Sequence, residues 1–250
     1  MAVFVFILGL IFGSFGNVIV SRINTGESLI FGGSRCFFCG RNLKWFELAP
    51  VISFLAFHGK CRTCGGRVSW RYPLVELSSG LLFLLIWSEP GSGQAGHNPV
   101  LTGLAILFFW LLLIISVYDL RHKIIPNPLV YLAIAIAVIF NILNPLYFIL
   151  SGLGLFSFFA LLWLVSKGRW MGFGDAKLAL AMGLFLGWPE SAVALLFSFW
   201  LGAIFGLAFV FAKNLKNLKV QIPFAPFLFT GGLAAFLWGE KIISWYISLI

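Results

Sequence analysis

The chain has 250 residues, of which 61% are hydrophobic and only 10% charged, whereas soluble domains carry about 45–50% apolar and about 25% charged residues. That balance excludes a soluble globular domain and points to a polytopic membrane protein. The net charge of +9 does not argue for a nucleic-acid partner, because basic residues dispersed between apolar spans instead mark loops that face anionic membrane lipid.

The first apolar run, residues 2–20, opens "MAVFVFILGL" with no basic flank and no small-residue cleavage site. It is long enough to cross a bilayer and is expected to be a retained span rather than a signal peptide. A polar stretch, residues 21–73, follows and contains every cysteine of the chain, as "CFFC" (Cys36, Cys39) and "CRTC" (Cys61, Cys64). Two CxxC pairs, each beside glycine, fit the knuckles of a zinc ribbon, and four thiolates would close a structural Zn²⁺ site with no open position. His58 is a competing ligand of lower rank. Further apolar runs are expected as spans at 74–87, 100–118, 129–140, 146–165, 176–188, 191–212 and 224–238, giving eight in all. The second, fourth and sixth are short for a bilayer-crossing helix. No internal repeat or low-complexity tract is apparent.

Sixteen of the seventeen Lys and Arg residues fall on alternate loops, and only Lys241 lies on the other side. By the positive-inside rule the 21–73 loop faces the cytoplasm and both termini lie outside it. His97 falls in an external loop and His122 in a basic turn, both read as solvated.

The chain has two aspartates. Asp119 ends the third span in "SVYDLRHKIIPN", and Asp175 opens the sixth in "GFGDAKL". Two spans separate them, so both belong to the cytoplasmic face. Asp175 alone could cap a helix, and Asp119 could pair with Arg121, His122 or Lys123. As the only aspartates, on one face, each the sole acid of its short loop, they read instead as a catalytic dyad. Two adjacent carboxyls share one proton, so one can activate water while the other protonates. Gly172 and Gly174 free the backbone before Asp175 from side-chain bulk, so that a substrate strand or a partner helix can approach.

These elements, in this order, resemble the prepilin peptidases, or type IV leader peptidases, over nearly the whole chain. The match runs through "GSFGNVIVSRI", the two CxxC pairs around "ELAPVISFLAFHGKC", "RVSWRYPLVE", "DLRHKIIPN" and "GFGDAKL". The resemblance implies Asp119 and Asp175 as the catalytic aspartates of a membrane peptidase and Cys36, Cys39, Cys61 and Cys64 as a metal-binding tetrad. It implies removal of the short leader from type IV prepilins and secretion pseudopilins at the cytoplasmic face of the bacterial inner membrane. It further implies N-methylation of the new amino terminus with S-adenosylmethionine, an activity associated with the cysteine loop. Asn17 and Glu76 also match the family pattern. Glu76 is a candidate for binding the substrate's or methyl acceptor's amine, its bland alternative being an ion pair with Arg71. Departures fall at Gly32, Gly33 and Phe37, where the family favours proline, at Gly16, commonly leucine, and at Asn127, where the family often has aspartate after proline.

The expected architecture is thus all-α and polytopic. It comprises a first transmembrane helix (1–20), a small cytoplasmic zinc-ribbon-like loop domain (21–73) and a transmembrane peptidase domain (74–250). A non-enzymatic membrane assembly factor that docks through its zinc ribbon is the alternative. A transporter would carry mid-span ionisable residues and an internal repeat, and neither is seen.

Overall fold

Each apolar run becomes a helix. The computed structural model describes residues 1–29, 32–88, 98–142, 145–212 and 222–249. The helices are α1 (Ala2–Arg22), α2 (Ile52–Ala56), α3 (Arg71–Ser88), α4 (Pro99–His122), α5 (Asn127–Phe140), α6 (Pro145–Ser166), α7 (Phe173–Leu186), α8 (Glu190–Ala212) and α9 (Ala225–Ser248). A short 3-10 turn, Trp45–Leu48, precedes α2. All eight expected spans fall on helices. Four stretches, Ala2–Arg22, Pro99–His122, Leu146–Ser166 and Glu190–Phe209, are long and apolar enough to cross a membrane unaided. Helix α9 runs past the expected end of the last span at residue 238, to Ser248, because Glu240 and Lys241 break the apolar run but are good helix formers. The basic loop with Lys213, Lys216 and Lys219, and His97, lie outside the described residues.

The chain divides into two units, Met1–Ser88 and Glu89–Ile250. In the first, α1 and α3 pack antiparallel along a seam of small residues. A Cβ on Gly9 would sit 2.7 Å from the Cα of Gly80, and one on Gly13 would sit 2.6 Å from the Cα of Glu76. Without a hydrophobic drive between helices in lipid, such close backbone approach supplies the van der Waals contact that holds them. Phe12 against Phe83, centroids 5.3 Å apart, extends the seam.

In the second unit α7 is the central helix, packed against α5, α6, α8 and α9. A knot of rings from four helices fills its core. Phe108 stacks on Phe185 at 4.0 Å, Phe140 meets Phe185 at 4.4 Å, and Phe109 meets Phe236 at 5.1 Å. Asn141, just past α5, donates to the carbonyls of Leu184 (2.7 Å) and Phe185 (3.1 Å), which end α7 without helical partners. Helix α6 crosses α7 at glycine: a Cβ on Gly183 would lie 2.7 Å from the Cα of Gly152. Gly183→Val is therefore expected to destabilise the unit by about 1–3 kcal/mol through overpacking. Gly154→Val is the matched control, since a Cβ there meets nothing within 4 Å. Thermal unfolding in detergent reads the difference.

Candidate active site

Three helix ends meet around Asp119. It lies in the last turn of α4, which closes on Lys123 in the left-handed conformation (φ 54°), whose N–H bonds the Asp119 carbonyl at 2.7 Å. The carboxyl is buried, 5% exposed, and its Oδ2 accepts the N–H of Ala225, the first residue of α9, at 3.3 Å. Asp175 is the third residue of α7 and 8% exposed. Its Oδ2 accepts the N–H of Gly172 at 3.1 Å, which is half of a capping box, since glycine has no side chain to return the bond. Each carboxyl thus accepts one of the free N–H groups at a helix N-terminus. Among the described residues neither aspartate forms an ion pair with a lysine or arginine, so Arg121 and Lys123 do not engage Asp119; His122 stacks on Tyr118. The two carboxyls are close enough for the charge of Asp119 to act on Asp175. Convergence follows from the ring core, because Phe108 and Phe109 of α4 lock onto Phe185 of α7 and Phe236 of α9.

The glycines of "GFGDAKL" divide. A Cβ on Gly174 would lie 2.9 Å from Cβ of Ile125, so the close approach expected there is made by the chain's own segment after α4. A Cβ on Gly172 would meet only the Asp175 carboxyl at 3.5 Å and the Gly174 nitrogen at 3.9 Å, and this position remains open. Two residues given no role by the sequence complete the corner: Lys177 donates to Asn127 Oδ1 at 3.0 Å and lies over the rings of Phe173 and Tyr131. This contact pins the start of α7 to the start of α5. Neither this contact nor that of Ala225 could be read from the chain: Lys177 and Asn127 are 50 residues apart, and the backbone N–H of Ala225 carries no side-chain signature.

Asn17 and Glu76 belong to the first unit. Asn17 donates to the Tyr72 carbonyl at 3.1 Å. Glu76 accepts the N–H of Val51 at 2.8 Å, and the hydroxyl of Ser14 also bonds it. The ion pair with Arg71 is not made; that guanidinium lies over the Tyr72 ring.

The cysteines form a two-fold repeat that the sequence reading did not register. Residues 34–43 and 59–68 make the same turn: Cys36 N–H bonds Arg41 and Cys61 N–H bonds Gly66, both at 2.9 Å. Gly40 and Gly65 close them with φ of 70° each, and the isolated bridges Arg35–Asn42 and Lys60–Arg67 repeat alike. All four Sγ atoms lie within 4.8 Å of one another, and those of Cys36 and Cys64 are 3.8 Å apart. Thiolates at about 2.3 Å from a tetrahedral Zn²⁺ would be about 3.8 Å apart, so the donor set fits a metal ion of this kind. His58 stands outside the cluster. The N–H groups of Cys64 and Thr63 aim at the Cys61 sulfur and lower its pKa to about 6; those of Cys39 and Phe38 lower Cys36 likewise. Cys64 receives an N–H from Gly66, yet desolvation and the neighbouring thiols push it up to about 11. Four thiols this close cannot all ionise without a cation. Arg41 braces the pair of turns, binding Glu47 through both nitrogens at 2.6 and 3.0 Å and reaching the Cys61 sulfur at 3.9 Å.

Residues 7–89 match the Bacterial Peptidase A24 N-terminal domain and residues 106–207 match the Type IV leader peptidase family. The chain is 35% identical to the Prepilin leader peptidase/N-methyltransferase of Bacillus subtilis (strain 168) over 248 residues, covering 98% of this chain and 97% of that one. It is 33% identical to the protein of that name from Pseudomonas aeruginosa over 275 residues, 97% and 92% of the two chains. For Aeromonas salmonicida (strain A449) the figures are 32% over 281 residues, 98% and 94%. No solved structure matches the chain. Similarity at this level, sustained from end to end across both units, means that the chain belongs to the type IV leader peptidase family.

Proposed function

We infer that the protein is a membrane aspartic endopeptidase that removes the leader of type IV prepilins and pseudopilins and N-methylates the new amino terminus. The observation that carries this reading is the full-length similarity to proteins named for both activities. The buried aspartate pair supplies the chemistry. Two carboxyls that interact hold one proton between them. The ionised member takes a proton from water as the water oxygen bonds the scissile carbonyl carbon. The protonated member hydrogen-bonds the carbonyl oxygen and then supplies a proton to the leaving nitrogen as the C–N bond breaks. Hydroxide ends on the leader and the proton on the mature amine, so the step balances. The titration belongs to the pair rather than to either residue.

Cys36, Cys39, Cys61 and Cys64 hold Zn²⁺ in this reading, and a closed Cys₄ site supplies cross-linking rather than catalysis. S-adenosylmethionine is the methyl-donating co-substrate. Eight helices, α1 and α3 to α9, cross the bacterial inner membrane, with the aspartates and the cysteine loop toward the cytoplasm and both termini in the periplasm. The alternation of basic loops supports this orientation. The substrate's hydrophobic helix supplies most of the affinity, because basic leaders gain little from a basic face. Incubation of the purified protein with a synthetic prepilin and labelled S-adenosylmethionine tests both activities separately. Cleavage with label on the mature peptide is expected; an intact, unlabelled peptide would favour a non-enzymatic assembly factor.

A further inference from the structure

The segment between the two cysteine turns has two sides. Phe46, Phe54 and Phe57 turn inward: Arg62 lies over Phe46 and Phe57, and Phe54 packs on Trp70 at 4.7 Å. Trp45, Leu48, Ile52 and Leu55 turn outward, and are 84%, 39%, 68% and 63% exposed. They recur every three or four residues along the 3-10 turn and α2, which makes an apolar strip flanked in the sequence by Lys44 and Lys60.

Its depth follows from one hydrogen bond. Val51, at the bend between the turn and α2, has φ of 59°, a conformation that a β-branched residue rarely adopts. Its N–H is held by Glu76, which packs against Gly13 and is bonded by Ser14 of α1. Ser14 is eight residues inside the Arg22 end of α1, roughly 12 Å at ~1.5 Å per residue. Helix α1 is one of the stretches able to cross a bilayer; with α1 spanning as far as Arg22, Val51 would lie below the level at which that helix leaves the hydrocarbon. Irregular backbone at such depth requires its polar groups to be satisfied by protein, and a buried carboxylate does this for Val51.

We propose that residues 45–55 form a re-entrant membrane element, hung on Glu76 beside α1 and α3, that seats the cysteine loop in the leaflet from which it emerges. Near the crossing of Gly13 and Glu76 the two helices also carry exposed apolar side chains, Ile11 and Phe15 on α1 and Leu74 and Leu77 on α3. Residues 21–73 carry eight basic side chains against two acidic ones, which complements anionic headgroups and opposes a basic leader peptide. Trp45 marks the interface, where an indole body meets lipid and its N–H meets water. Glu76 is thereby a positioning residue.

The test is tryptophan quenching in the full-length protein, reconstituted in phosphatidylethanolamine–phosphatidylglycerol vesicles. The difference between the unsubstituted chain and Trp45→Phe isolates the Trp45 signal. Lipids brominated near the headgroup end of the acyl chain are expected to remove most of it, and aqueous acrylamide little. Glu76→Leu should raise acrylamide access several-fold, while Glu76→Gln, which still accepts the Val51 N–H, should not. Hydrogen exchange of amides 48–55 needs no substitution and should be far slower than at 24–29. Quenching by acrylamide but not by bromolipid, or equal exchange in the two segments, overturns the proposal. So does shielding that appears only on adding a prepilin peptide, which would make the strip a substrate surface. None of these readouts depends on peptidase activity.

Discussion

Asp119→Asn and Asp175→Asn are each expected to lower leader cleavage by about a thousand-fold, the size of a lost acid–base contribution, with protein level and metal content unchanged. The expectation of an intact fold rests on the contacts. An asparagine oxygen can still accept the Gly172 N–H at position 175, or the Ala225 N–H at position 119. Neither carboxyl pairs with a lysine or arginine among the described residues that would be stranded. Because the two act as one unit, the double variant should be no slower than either single one. Timed cleavage of a prepilin by the purified variants measures this. Normal processing by either single variant would remove its aspartate from the mechanism.

Cys36→Ser combined with Cys61→Ser is expected to take the metal content from about one zinc per chain to near zero. Each turn loses one of its two sulfurs, and a Cys₄ site rarely survives as two ligands. The turns have little apolar packing of their own, so their order depends on the ion. Residues 34–68 should then become sensitive to proteases. The aspartates belong to the other unit, Glu89–Ile250, so methyl transfer should fall well below its starting rate while cleavage retains most of its own. Metal analysis and limited proteolysis, read beside the two activities, check each part. A variant still holding zinc, or metal-free protein with full methyl transfer, would refute the assignment.

Helices were legible here because a bilayer demands long apolar runs, and few residues break them. The end of α9 escaped because Glu240 and Lys241 are polar without being helix breakers. Asp119 and Asp175 could be assigned to one face by counting spans. That α4, α7 and α9 bring their ends together depends on rings packed deep in the core, such as Phe185, whose partners no local pattern names. The cysteine pairs, each followed by glycine, announced a metal site, whereas the backbone bonds that give residues 34–43 and 59–68 the same turn carry no side-chain signature. Glu76 illustrates the same limit: its partner is a backbone N–H at Val51 rather than the nearby Arg71. The space beside Gly174 was visible in the sequence, its occupant Ile125 was not.

The most direct test of a shared proton is the pH dependence of kcat/KM for leader cleavage, measured with a synthetic prepilin in lipid at constant ionic strength. A pair that works with one proton should give a bell, falling on the acid side as a second proton binds and on the alkaline side as the last one leaves. A rate that climbs to a plateau and stays there would mean a single titrating base, and the coupling of Asp119 to Asp175 would not be the source of catalysis.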